Sequence, residues 1–176
     1  MNTPNKLTVA RVAAIPLFIV TLLINPSERR YNIAAAVIFA LASATDWLDG
    51  YIARKYNLVT NFGKFMDPLA DKLLVCSALI AFVDLNLIDS WIVIVIVARE
   101  FIVTGFRLVA AERNMLIAAG IWGKAKTAVQ MVMIIAVILG MTPLISQSLI
   151  WVSLALTVIS GVECMYKNRS VLKDAA

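Results

Sequence analysis

Histidine is absent from this 176-residue sequence, and cysteine occurs only twice. Without histidine, catalytic triads, metal sites and general bases that use an imidazole are excluded. Cys76 and Cys164 each lie in an apolar stretch and form no Cys-x-x-Cys pair, so we interpret both as small core residues. Acid–base or metal chemistry must therefore come from carboxylates, lysine, tyrosine, cysteine or the backbone.

Charge is also scarce. Charged residues make up 15% of the chain and hydrophobic residues 61%, whereas a soluble domain carries about a quarter charged residues. The long apolar runs predict an all-α, polytopic membrane protein with one domain over residues 1–176 and six transmembrane helices in a compact bundle. The predicted helices lie at about 7–24, 32–56, 67–84, 91–112, 124–141 and 146–166. Asn25-Pro26-Ser27, Asp84-Leu85-Asn86 and Thr142-Pro143 predict turns.

Lysine and arginine fall almost entirely on one side of this predicted bundle. With the N-terminus on that side, only Arg29 and Arg30 lie on the other, and the loop from Asp84 to Asp89 has no basic residue. The positive-inside rule then predicts that both termini, and an active site at that level, face the cytoplasm from the cytoplasmic membrane. Part of this charge is expected to contact anionic membrane lipids. No nucleic-acid partner is expected.

Four aspartates stand beside apolar segments at one predicted membrane level. Asp46 and Asp49 are spaced i,i+3 late in the second helix, and Asp67 and Asp71 are spaced i,i+4 at the start of the third. Each pair therefore shares a helix face, and an antiparallel hairpin would direct both faces to one pocket. Clustered carboxylates need a compensating charge, so the pattern predicts a site for Mg²⁺ or Mn²⁺, which prefer oxygen ligands.

Two glycines accompany the aspartates. Gly50 follows Asp49 directly, and Gly63 is predicted to lie in the turn before the third helix. Either can let the backbone approach a ligand closely, although ordinary packing of small residues in lipid explains them as well. Asp67 also has a structural interpretation, as a helix N-cap followed by the first-turn proline Pro68.

Eight residues in this region form one pattern over 26 positions, which reads Asp46-x₂-Asp49-Gly50-x₂-Ala53-Arg54-x₈-Gly63-x₃-Asp67-x₃-Asp71. It resembles the signature of the CDP-alcohol phosphotransferase family at every fixed position and spacing. Three softer motifs resemble the branch of that family whose acceptor is glycerol 3-phosphate. They are Asn5-Lys6-Leu7-Thr8-x₂-Arg11, Ala98-Arg99-Glu100 and Gly123-Lys124-x-Lys126-Thr127.

The resemblance implies a function for each residue of the pattern. The four aspartates would surround two divalent metal ions, Mg²⁺ or Mn²⁺, and Asp71 would also be the general base. The cytidine-diphosphate site would be formed by Gly50, Ala53, Arg54 and Gly63. The donor would be CDP-diacylglycerol, the acceptor glycerol 3-phosphate, and the products phosphatidylglycerol phosphate and CMP. The family analogy also suggests a homodimer.

The phosphates of the donor and the acceptor need further polar groups. Asn5, Thr8 and Arg11 share one helix face and are expected to contact the donor phosphates, unless they only form a capped helix at the interface. The candidates for binding the acceptor phosphate are basic residues of the fourth and fifth helices, and their alternative role is topology or structural pairing. These candidates are Arg99, Arg107, Arg113, Lys124 and Lys126.

Arg99 and Glu100 are adjacent in the fourth predicted helix. Neighbouring residues of a helix do not face each other. We therefore expect each of the two to have a partner of its own, with contact between them at most through a relay.

Other functions stay open at this point. The same chemistry could use inositol phosphate, serine or a second phospholipid as acceptor, and the basic candidates favour a phosphorylated acceptor over serine. A cation transporter would use the carboxylates as its ion site, but transporters place such sites near the bilayer midplane, and Gly50, Arg54 and Gly63 would have no evident role in one. A non-catalytic membrane scaffold would leave the four aspartates unexplained.

Overall fold

The computed structural model describes residues 3–55, 61–112 and 120–168, and all regular structure within these ranges is α-helical. Side chains are described from residue 8 onward, except at 46–55, 61–65, 67, 68, 111 and 112. The six helices are α1 (Thr3–Ile24), α2 (Arg29–Lys55), α3 (Asn61–Asp84), α4 (Ser90–Glu112), α5 (Ile121–Ile138) and α6 (Pro143–Lys167). The prediction of six helices in this order is confirmed.

The chain divides into two compact units. The first comprises Met1–Leu87 with the short segment Val137–Met141, and the second comprises Ile88–Ala136 with Thr142–Ala176. Helices α1, α2 and α3 therefore form the first unit, which contains the four aspartates. Helices α4 and α6 and most of α5 form the second, which contains the candidate basic residues of the acceptor site.

The first unit is built around α1, which packs against both α2 and α3. Phe18 of α1 and Phe39 of α2 are fully buried, and their ring centroids lie 5.6 Å apart in a tilted arrangement. Leu74, Leu79 and Phe82 of α3 are fully buried as well. Aromatic pairs of this geometry contribute about 0.5–1.5 kcal/mol beyond the area they bury, so this core fixes the helices that carry the aspartates.

The second unit is built on the packing of α4 against α6. Phe106 and Ala110 of α4 are buried, and Cys164 of α6 packs against them. The interpretation of Cys164 as a packing residue agrees with this position. Cys76 is a buried thiol in α3.

The chain turns near all three predicted positions, but the α5–α6 turn comes earlier than predicted, at residues 139–140, because α5 ends at Ile138. The α3–α4 turn contains Asn86 at φ 56°, a conformation that asparagine tolerates better than most residues, and the Leu87 amide closes it by donating to the Phe82 carbonyl at 2.8 Å. The α5–α6 turn contains Gly140 at φ 60°, where a side chain would be strained. Pro143 then begins α6, where its missing amide hydrogen costs nothing.

The start of α3 was predicted incorrectly. The helix begins at Asn61 rather than at about residue 67, so Gly63 lies inside a helix and not in a turn. Asp67 and Pro68 lie well within the helix, so the interpretation as an N-cap with a first-turn proline is wrong. The physical reason is that an apolar run marks only the apolar part of a helix, whereas backbone hydrogen bonding continues into the polar sequence before it.

Two helices are long and apolar enough to cross a membrane, among the residues that the structure describes. These are α5 and α6, and Thr8–Ile24 of α1 is a shorter apolar segment. A span requires about 20 mainly apolar residues. Helices α2, α3 and α4 each carry charged candidate site residues, and these charges lower the mean hydropathy of the three helices.

Candidate active site

Two helices of the first unit carry the aspartates. The backbone of α2 includes Asp46 and Asp49, and that of α3 includes Asp67 and Asp71. Within the first unit α2 and α3 contact each other. Asp71 is half-buried. The side chains of Asp46, Asp49 and Asp67 are outside the described residues. The same holds for Ala53 and Arg54 of the predicted cytidine-diphosphate site, and its Gly50 and Gly63 are described only by their helical backbone.

The donor atoms of these aspartates suit a hard divalent cation. All four residues offer carboxylate oxygens, which are the ligands of Mg²⁺ and Mn²⁺ in proteins. Neither a thiolate nor an imidazole belongs to the set. The donor chemistry of Asp46, Asp49, Asp67 and Asp71 thus fits the metal ions for which the sequence predicts them as ligands.

Thr8 and Arg11 lie on the buried side of α1, and Asn5 has a side chain outside the described residues. Arg11 is only 2% exposed, and its Nε donates to the Ala42 carbonyl of α2 at 3.1 Å. The Thr45 hydroxyl donates to the same carbonyl at 2.7 Å. An isolated buried charge is costly, so this contact holds α1 to α2 one turn before Asp46.

A cavity in the second unit gathers part of the predicted acceptor site. Its volume is about 50 Å³, which is room for roughly four water-sized groups. It is lined by Arg99, Arg107, Gly120, Gly123, Ser160, Glu163, Cys164, Lys167 and Asn168. Of the five basic candidates, Arg99 and Arg107 thus come together here. Lys124 is exposed, Lys126 is buried beside Glu100, and Arg113 lies outside the described residues.

Glu100 links α4 to α5, and Arg99 beside it extends the network to α6. Arg99 Nη1 donates to Glu100 Oε1 at 2.9 Å, and Lys126 of α5 donates to the same oxygen. Arg99 Nη2 donates to the Ser160 hydroxyl of α6 at 2.9 Å. The expectation that Arg99 and Glu100 have partners of their own is confirmed. The expectation that they do not contact each other directly is wrong, because a long guanidinium side chain can bend back to its neighbour when both are held by groups from other helices.

Gly161 allows Arg99 to lie against α6. A Cβ atom at residue 161 would be 3.1 Å from Arg99 Cγ, closer than an ordinary van der Waals contact. The Ser160-Gly161 pair therefore supplies both a hydrogen-bond acceptor and the space for the arginine stem. Sequence reasoning missed both residues, and the only local signal for them was a small-residue pair late in an apolar helix.

Two buried guanidinium atoms in the cavity have no hydrogen-bond acceptor. They are Nε of Arg99 and Nε of Arg107. Within the described part of the chain, Arg107 also makes no ion pair. A buried donor without an acceptor costs about 1–3 kcal/mol, and an anion that entered the cavity would remove that cost. The arrangement is therefore suited to binding a small oxyanion such as a phosphate group.

Glu100→Gln is expected to destabilise the protein because it removes the carboxylate that Arg99 and buried Lys126 both contact. Breaking a buried ion pair costs about 3 kcal/mol or more, which corresponds to a Tm lower by about 6–12 °C for a chain of this size. Thermal unfolding in detergent would measure it. The control is Glu28→Gln, because Glu28 pairs with Arg30 at the surface and should change Tm by little. Equal Tm values for the two variants would contradict the structural role of Glu100.

Comparison with known proteins gives a consistent result. The profile described as "CDP-alcohol phosphatidyltransferase" matches residues 1–159. The CDP-diacylglycerol–glycerol-3-phosphate 3-phosphatidyltransferase of Bacillus subtilis (strain 168) is 46% identical, over 99% of this chain and 98% of the relative. Proteins of the same name from Rickettsia bellii and Rickettsia felis are 42% and 40% identical, and each comparison covers 91% of this chain and 91% of the relative.

Proposed function

The chain belongs to the CDP-alcohol phosphatidyltransferase family, and from that premise we propose that it makes phosphatidylglycerol phosphate. It transfers the phosphatidyl group from CDP-diacylglycerol to glycerol 3-phosphate and releases CMP. The observation that carries this proposal is the 46% identity to a protein named for this reaction over 99% of the chain. The cavity around Arg107 supports a phosphorylated acceptor.

Asp71 is proposed as the general base of the transfer. Its carboxylate takes the proton of the primary hydroxyl of glycerol 3-phosphate, and that oxygen attacks the phosphorus on the lipid side of the diphosphate. A new phosphorus–oxygen bond forms to the glycerol, and the bond to the CMP phosphate breaks with its electron pair leaving on CMP. A positioned base typically contributes about 10²–10⁴ to such a step.

The four aspartates are proposed to hold two Mg²⁺ or Mn²⁺ ions. Bound cations of this kind neutralise negative charge that develops on phosphate oxygens during transfer. The i,i+3 spacing of Asp46 and Asp49 and the i,i+4 spacing of Asp67 and Asp71 support this role, because each pair lies on one helix face.

The donor is proposed to bind beside these carboxylates. Gly50, Ala53, Arg54 and Gly63 belong to the family pattern and would contact the cytidine diphosphate. Asn5 and Thr8 are proposed to add contacts to its phosphates. Arg11 contributes by holding α1 to the α2 backbone near Asp46, and this contact supports a positioning role as much as a direct one.

The acceptor phosphate is proposed to bind in the cavity of the second unit. Arg107 is the first candidate because its Nε is buried there without a partner. Arg99 lines the same cavity and keeps its own Nε unpaired. Lys126 acts through Glu100, and Lys124 and Arg113 complete the predicted cationic set.

The protein is proposed to lie in the cytoplasmic membrane with six spans and with both termini and the active site on the cytoplasmic side. The apolar helices α5 and α6 support a membrane location. The asymmetry of basic residues supports the orientation. The family resemblance suggests a homodimer, surrounded by membrane lipids.

The test is CMP release by the purified protein in detergent. CDP-diacylglycerol and Mg²⁺ or Mn²⁺ are supplied, and glycerol 3-phosphate, inositol phosphate, inositol and serine are added one at a time. We expect release with glycerol 3-phosphate only and its loss when EDTA removes the metal ions. Restoring excess Mg²⁺ after EDTA should restore the rate, which separates metal removal from irreversible damage.

Each other result has a distinct meaning. Release with another acceptor would keep the family chemistry and overturn the choice of acceptor. Release that survives EDTA would overturn the role of the metal ions. No release with any acceptor, from folded and metal-loaded protein, would favour a transporter or scaffold.

A further inference from the structure

Charge in the cavity of the second unit is almost balanced. Three cationic side chains line it, and two of them have carboxylate partners. Arg99 pairs with Glu100, and Lys167 pairs with Glu163 at 2.6 Å. Arg107 is the cation left over among the described residues. The cavity therefore presents one uncompensated guanidinium, which matches the proposed acceptor phosphate.

Glu163 is unexpected in such a place. A carboxylate repels an incoming phosphate. Its position in the wall of this cavity therefore calls for a second role that outweighs the repulsion. Pairing with Lys167 is a weak reason, because the Lys167 side chain is 68% exposed and exposed ion pairs contribute only about 0–1 kcal/mol. The Glu163 side chain is only 20% exposed and stands in the cavity wall.

One oxygen of Glu163 is seated against a glycine. Oε1 accepts from Lys167, whereas Oε2 accepts no hydrogen bond within the described part of the chain. Oε2 lies 2.9 Å from the position that a Cβ atom of residue 120 would take. Any other residue at position 120 would force this carboxylate to move. The backbone at Gly120 therefore leaves space for an unpaired acceptor on the wall of a phosphate-sized cavity.

The cavity thus offers two complementary groups to a ligand. Arg107 supplies a donor for a phosphate oxygen, and Glu163 Oε2 can accept a hydrogen bond from a donor such as a hydroxyl. Glycerol 3-phosphate carries a secondary hydroxyl on the carbon next to the phosphate-bearing carbon. We infer that Glu163 accepts a hydrogen bond from this secondary hydroxyl and thereby selects glycerol 3-phosphate over acceptors that lack it. This inference rests on the proposed function.

The experiment compares two acceptors. One is glycerol 3-phosphate, and the other is 1,3-propanediol monophosphate, which keeps the primary hydroxyl and the phosphate but lacks the secondary hydroxyl. The readout is the ratio of their kcat/KM values, measured by CMP release with CDP-diacylglycerol and Mg²⁺. A hydrogen bond to a charged acceptor predicts a preference of about 10-fold or more for glycerol 3-phosphate in the unmodified enzyme.

Three variants locate the source of that preference. Glu163→Ala should reduce the ratio to about 1, mainly through a lower kcat/KM for glycerol 3-phosphate. Glu163→Gln keeps a neutral acceptor oxygen and should retain a preference of a few fold. Lys167→Met breaks the ion pair while keeping Glu163, so the preference should persist even if both rates change. A general loss of stability would lower both rates together and leave the ratio unchanged.

The outcomes separate the two proposals. An unmodified enzyme that releases no CMP with glycerol 3-phosphate would overturn the proposed function, and this inference with it. Normal turnover with the same acceptor preference in the unmodified enzyme and in Glu163→Ala would overturn only the role of Glu163. If Glu163→Ala does not fold, the decision falls to Glu163→Gln, and an undiminished preference there would also count against the inference.

Discussion

Asp71→Asn is expected to lower kcat for CMP release by about 10²–10⁴-fold. Asparagine has nearly the same shape as aspartate but cannot take a proton at neutral pH. It is also a weaker ligand for a divalent cation, because its oxygen carries no formal charge. The measurement is CMP release at saturating CDP-diacylglycerol and glycerol 3-phosphate.

A titration with Mg²⁺ separates the two contributions of Asp71. If only metal binding suffers, the rate of the variant should recover as Mg²⁺ is raised. If the base is lost, the rate should stay low at saturating Mg²⁺. Asp84→Asn is the matched control, because Asp84 is exposed at the other end of the same helix and should keep normal activity. Near-normal turnover of Asp71→Asn would remove the assignment of the base.

The order and number of the helices could be predicted from the sequence because each helix contains a long apolar run. The same argument placed the helix starts late. Helix α3 begins at Asn61 although its apolar run begins several residues further on. Hydropathy reports only the apolar part of a helix, and polar turns at a helix end are stabilised by backbone hydrogen bonds that leave no apolar signature.

The sequence predicts candidate site residues where local spacing places like side chains on one helix face. Intervals of three and four residues single out Asp46, Asp49, Asp67 and Asp71. The structure confirms the helices that carry them, and their role as metal ligands stays a prediction. Arg107 was predicted as one of five candidates for the acceptor phosphate, with topology or structural pairing as the alternative, and the structure gives it no ion pair among the described residues.

The contacts that complete the second unit were not predictable in the same way. Arg99 and Ser160 are 61 positions apart, and Glu100 and Lys126 are 26 apart. Partners at such separations are set by how helices pack, and no local periodicity reports them. Glu163 was missed for a related reason, since its spacing of four from Lys167 is that of an ordinary surface ion pair.

Arg107→Glu is expected to raise the apparent KM for glycerol 3-phosphate by about 100-fold or more. A hydrogen-bonded charge pair contributes about 1.5–3 kcal/mol, and reversing the charge adds repulsion to that loss. Arg107→Met keeps much of the apolar stem and should raise KM by about 10–100-fold. Arg107→Lys keeps the charge but loses the planar guanidinium, so its effect should be the smallest of the three.

The KM for CDP-diacylglycerol should change little in all three variants. The control is Arg30→Met, because the Arg30 side chain is 87% exposed and pairs with Glu28. It should leave both KM values unchanged. If Arg107→Glu keeps a normal KM for glycerol 3-phosphate, or raises both KM values equally, Arg107 does not bind the acceptor phosphate.

Stability distinguishes this binding role from a structural one. Replacing Arg99 or Lys126 would remove a cation from Glu100 and leave a buried carboxylate undercompensated, so those changes should lower Tm. Arg107 makes no ion pair within the described residues. Arg107→Met therefore takes no cation away from a carboxylate there, and we expect the Tm to stay the same or rise slightly. A cation whose removal weakens acceptor binding without weakening the fold is one that the fold holds for a ligand.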